Sequence, residues 1–64
     1  MKTPKEEAIE LVGIFELATG SKVRGIGCAF ICIDRILDAY YPLEYYPEDL
    51  KDYWEEVKQE IEKL

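Results

Sequence analysis

The segment "AYYPLEYYPED", residues 39–49, carries four of the chain's five tyrosines. Tyrosine rings do two kinds of work. They fill space between helices, or they offer a flat face on which a base or another planar group stacks. Tyr40 falls on the apolar arc of the helix that precedes the segment and reads as core. Tyr41 lies at the edge of that arc. Tyr45 and Tyr46 are neighbours on a connector, so both cannot point inward. One ring is expected to staple helix to helix, which leaves the other free to stack.

A second stretch with chemical potential is "ATGSKVRG", residues 18–25. It resembles a phosphate loop but lacks the Lys-Ser or Lys-Thr ending of the Walker pattern. What remains is a helix start with unsatisfied N–H groups, flanked by Lys22 and Arg24. The candidate ligand site is therefore Lys22 and Arg24 for an anion, with Tyr41, Tyr45 or Tyr46 for a planar group. An ordinary loop with two solvated cations is the plainer alternative.

Cys28 and Cys32 stand four apart on one helical face. As metal ligands they need two more, from carboxylates or from a second subunit. Small apolar thiols also suit a tightly packed helix face, and that is the expected role. Helix geometry disfavours a disulfide between them. Asp34 and Asp38 have the same spacing and could hold Mg²⁺ or act as acid and base. With Arg24 and Arg35 on the same wedge, a surface ion-pair cluster is expected instead. The chain has no histidine, and Ser21 is its one serine, so Ser-His and Cys-His pairs are excluded. The expectation is a non-enzyme with no metal and no cofactor.

Three helices must position these groups. Thr3 is a fitting N-cap, Pro4 the first helical residue and Glu6 the capping-box partner. At about 100° per residue, Ala8, Leu11, Val12, Ile14, Phe15 and Ala18 share a core face. Ile9, Gly13 and Leu17 lie near the opposite side, at i, i+4, i+8. They mark either tolerated imperfection or a second interface where another helix approaches closely. Gly20 ends this helix.

Ser21 can cap the second helix. Ile26, Ala29, Phe30, Ile33, Ile36, Leu37 and Tyr40 fill about half of its circumference. Gly25, Cys28, Cys32 and Ala39 add a strip of small residues, and Arg24, Asp34, Arg35 and Asp38 form the wet wedge. The β-branched and glycine content also permits a strand over 23–33, but no alternation supports it. Pro42 stops the helix, and Pro47 fits the first turn of a third. There Leu50, Tyr53, Trp54, Val57, Ile61 and Leu64 form one apolar stripe. The pattern predicts helices near 4–19, 22–41 and 48–63. They make one all-α domain over 1–64, a helical hairpin plus a C-terminal amphipathic helix.

A 64-residue chain buries only about 60% of the surface its unfolded form exposes. Oligomerisation is the expected supplement, through Ile9, Gly13, Leu17, Gly25, Cys28 and Cys32. A net charge of −6 argues against DNA, RNA or an anionic membrane as partner. The longest uncharged stretch, "GIGCAFICI", is too short to cross a bilayer. Free cysteines, and acids in "MKTPKEE" where a secretory signal would be apolar, predict the cytoplasm.

"TPKEEAIELVGIF", "CAFICIDRIL" and "YWEEVKQEIEKL" together resemble a group of very short phage and mobile-element proteins, especially of Bacteroidetes-like hosts. The ending, from Tyr53-Trp54 to Glu60-Ile61, is the best match. Members of that group carry Asp-Glu where this chain has Asp34-Arg35, and they lack the Gly25/Gly27 pair. The resemblance implies a counter-defence protein that oligomerises and sequesters a nucleotide immune signal, a cyclic oligonucleotide or an ADP-ribose derivative. The alternative is a protein-binding module or inhibitor that covers a host or phage protein through an apolar helix face.

Overall fold

A computed structural model describes residues 2–40 and 48–64. It contains α1 (Pro4–Thr19), α2 (Lys22–Tyr40) and α3 (Glu48–Glu62), each packed on the other two. The strand alternative for 23–33 falls, because those residues are all within α2.

The start of α1 follows from its cap. The Thr3 hydroxyl accepts from the Glu6 N–H at 3.2 Å, and the Glu6 carboxylate accepts from the Thr3 N–H at 3.0 Å. Those bonds hold the Glu6 carboxyl below the usual carboxylate range, the Thr3 backbone contributing most. At the other end Gly20 adopts φ 74°, a left-handed conformation that a side chain resists, and its N–H donates to Glu16 O at 2.8 Å. Ser21 then caps α2, its hydroxyl accepting from the Arg24 N–H at 3.3 Å. Only Gly20 and Ser21 separate the two helices, so α1 and α2 must fold back as an antiparallel hairpin.

The hairpin closes around Gly25. A Cβ placed there would lie 2.9 Å from Glu16 N, 3.1 Å from Glu16 Cα and 3.1 Å from Val12 O. All of these are backbone atoms and cannot swing aside. Gly25 is buried inside its own chain, which corrects its assignment to an oligomer interface.

The core is thin. Its buried members are Ala8 and Val12 from α1, Ala29 and Ile33 from α2, and Val57 and Ile61 from α3. Leu11, Phe15, Ile26, Phe30, Leu37, Tyr53 and Trp54 pack around them, with Tyr53 and Trp54 edge to face at 5.2 Å. Two of the expected core residues are not there: Ile14 and Ala18 are exposed. They sit at the far edge of α1's apolar arc, and two neighbouring helices cover only about half of its girth. Val23 and Ile31 are exposed on the wedge that also holds Arg24, Asp34, Arg35 and Asp38.

These contacts make a sharp contrast among the glycines. A Cβ at Gly27 would meet nothing within 4 Å. Gly25→Ala should therefore cost about 1–3 kcal/mol through overpacking. Gly27→Ala should gain up to about 1 kcal/mol from helix propensity. Against a total stability of roughly 3–10 kcal/mol for a chain of this length, the first change is severe. Urea unfolding followed by circular dichroism reads both. Similar midpoints for the two variants would refute the tight crossing.

Candidate functional site

Lys22 and Arg24 are exposed in the first turn of α2. The Ser21 hydroxyl takes the Arg24 N–H, which leaves the Lys22 and Val23 N–H groups as the orphans of that turn. Lys22 and Arg24 are two apart on the helix, so their side chains leave it in different directions. The aromatic half of the candidate ligand site, Tyr41, Tyr45 and Tyr46, lies outside the described residues. The connector that carries those rings leaves α2 at Tyr40. Sixteen residues separate Tyr40 from Arg24, about 24 Å of helix.

Asp34 does not pair with Arg35. It accepts a 2.8 Å hydrogen bond from Lys58 Nζ and so ties α2 to α3. Asp38 is exposed, and among the described residues no group of three metal-ligating side chains forms. Of the two carboxylates only Asp34 is in an ion pair, with Lys58 of α3, and the expected cluster with Arg24 and Arg35 does not form among the described residues.

The hairpin carries two separate exposed apolar strips, one on each helix. Ile9, Ile14 and Leu17 on α1 are exposed, Leu17 by 89%. Val23 and Ile31 on α2 are exposed by 79% and 65%. Gly13 and Gly27 each stand at the centre of an i, i+4, i+8 strip, Ile9–Gly13–Leu17 and Val23–Gly27–Ile31. A Cβ on either glycine would meet nothing within 4 Å. The second strip was hidden in the sequence, because Val23 and Ile31 sit between charged residues and look like part of a wet face. The repeated apolar–glycine–apolar spacing was the signal that could have found it.

Cys28 and Cys32 are half-buried free thiols that stand outside the core cluster. Gly25 turns toward α1 and Asp34 toward α3, so helical spacing puts both cysteines on the side of α2 away from α3. On α1, Val12 and Glu16 face α2, and Ile9 and Gly13 border them on that same side. Four of the five remaining residues expected at an interface, Ile9, Gly13, Cys28 and Cys32, therefore flank one groove of the hairpin. Leu17 lies on the adjoining outer face of α1.

No known protein family matches the chain, and no curated protein or solved structure is similar to it. No described helix is long and apolar enough to cross a membrane.

The electrostatics yield one testable consequence. The hydrogen bond from Asp34 holds the Lys58 ammonium above the usual lysine range, burial opposes this, and the charges of Asp34, Glu62 and Glu55 add to it. A raised lysine contributes stability that is fully present below its unfolded pKa and is lost as pH rises through the folded one. Both partners are more than a third exposed, so the contribution is at most about 1 kcal/mol. Lys58→Met should cost that much at neutral pH and nothing beyond the lysine range. A cost that stayed constant across that range would show that packing of the lysine stem, rather than its charge, accounts for it.

Proposed function

We propose that this chain is a non-enzymatic binding protein that docks on other proteins, a second copy of itself included, through the outer side of its α1–α2 hairpin. One observation carries the reading. Ile9 and Leu17, with the open Gly13 between them, are exposed along α1 of a domain with a thin core, beside the hairpin groove; Val23 and Ile31 are exposed elsewhere, on the Asp34 wedge of α2. Monomeric proteins keep contiguous exposed apolar surface small, and larger patches mark interaction sites. The open Gly13 within that strip supports this, since a partner backbone can approach closely where no side chain intervenes. The acidic surface, at net charge −6, would steer the choice of partner.

A second reading keeps the nucleotide. Lys22 and Arg24 are exposed beside orphan N–H groups, a setting that suits a phosphate. In this reading the chain sequesters a nucleotide-derived immune signal in the cytoplasm of a phage host. The chain acts as a homo-oligomer in this reading, with Tyr41, Tyr45 or Tyr46 offered to the base.

Light scattering and calorimetry separate the readings. Leu17→Lys should keep the helical content and weaken self-docking at least tenfold, because a buried lysine would stay unpaired at the interface. A wild-type particle of 7.5 kDa at hundreds of micromolar would contradict docking on a second copy. Arg24→Ala should leave assembly intact and lower nucleotide affinity about tenfold, the scale of one charge-assisted hydrogen bond. No heat of binding with any nucleotide in a panel would leave the protein-docking reading alone.

A further inference from the structure

Of the three helices, only α2 has more basic than acidic residues, with Lys22, Arg24 and Arg35 against Asp34 and Asp38. One of its acids is engaged within the chain, because Asp34 accepts from Lys58 of α3. The outward surface of α2 is therefore cationic, in a chain of net charge −6. Arg24 and Arg35 are exposed on it, and among the described residues neither forms an ion pair. Lys5 and Lys22 are unpaired in the same sense. The two arginines differ from them in what lies between them.

That intervening surface is apolar. Val23, Gly27, Ile31 and Arg35 follow one another at i, i+4 spacing and form one row along α2. Arg24 stands two turns before Ile31, about 20° off the same line. Ile31 is thus bracketed by two arginines whose positions are about 16.5 Å apart along the axis. Val23 and Ile31 are exposed, and a Cβ on Gly27 would meet nothing within 4 Å.

We propose that this row docks an acidic amphipathic segment of another protein, one with apolar side chains set between carboxylates. The apolar side chains cover Val23 and Ile31. The carboxylates meet Arg24 and Arg35, whose planar forks bind them bidentately. Duplex DNA and anionic membranes fit the surface less well, because they ask for a broad cationic field. Here Asp38 stands one turn beyond Arg35, and α3 holds seven acids against two lysines. Asp38 also orients the partner, whose acidic run must lie toward Arg24 rather than beyond Arg35. The row is on the Asp34 side of α2, apart from Ile9, Gly13 and Leu17, so it does not depend on docking beside the hairpin groove.

The probe is a fluorescent helical peptide of about 18 residues, five turns, with leucine along one face and glutamate beside it. The same peptide with glutamine for glutamate is the control. The expected result is saturable binding of the glutamate peptide, weakened by salt, with amide shifts at Val23, Gly27, Ile31 and Arg35. Ile31→Ser should weaken it about tenfold, the scale of one buried isoleucine. Arg24→Gln and Arg35→Gln should each weaken it about two- to fivefold, the scale of an exposed ion pair. Lys5→Gln, off the row, should leave it unchanged. No binding at hundreds of micromolar, equal affinity for both peptides, or unchanged binding in Ile31→Ser would overturn the proposal. Equally tight binding of duplex DNA or phosphatidylserine vesicles would do so too, by making the row a general anion surface. Row shifts that grow with protein concentration alone would assign it to a second copy and overturn it as well. Peptide shifts confined to Ile9, Gly13 and Leu17 would overturn this row and support docking beside the groove, and shifts confined to the row would keep the proposal whatever the groove does.

Discussion

The architecture depends on one backbone-to-backbone approach, at Gly25. Two residues connect α1 to α2, so the helices must run antiparallel, but the turn does not set how close they lie. The missing side chain at Gly25 does, by letting α2 rest on Val12 O and the Glu16 backbone. That contact fixes which faces meet. Ala8 and Val12 turn inward opposite Ala29 and Ile33, and α3 adds Val57 and Ile61 from the open side. A core of alanines and β-branched residues is the consequence.

The same approach explains why so much apolar surface stays outside. With α1 and α2 committed to each other along one line and α3 covering one side, the opposite side has no third helix. Ile9, Gly13, Cys28 and Cys32 border the groove left there, and Leu17 stands beyond it. In a larger protein another helix would cover this strip. No other described helix covers it here.

Most of the fold was legible because its signals are local. Thr3, Pro4 and Glu6 spell a helix start. Gly20 and Ser21 spell a tight hairpin, and the 3.6-residue period runs through all three segments. What escaped was set by distance contacts that no local pattern encodes. Gly25 looked like part of an outward strip of small residues, because nothing in its neighbours says which small residue meets α1. Ile14 looked like core, because a broad apolar arc does not show where two partners stop covering it. Val23 and Ile31 were lost among charges. The candidate ligand site was half legible. Its cations stand in the first turn of α2, where the sequence put them, and its tyrosines lie outside the described residues.

The central claim is that the outer hairpin side is a contact surface. Amide chemical shifts followed over a concentration series, in reduced protein without metal, test it directly because they report contact residue by residue. The account predicts shifts that move with concentration at Ile9, Gly13, Leu17, Cys28 and Cys32, while Trp54 and Val57 in α3 hold still. Shifts that are independent of concentration throughout, or that move only along α3, would contradict it.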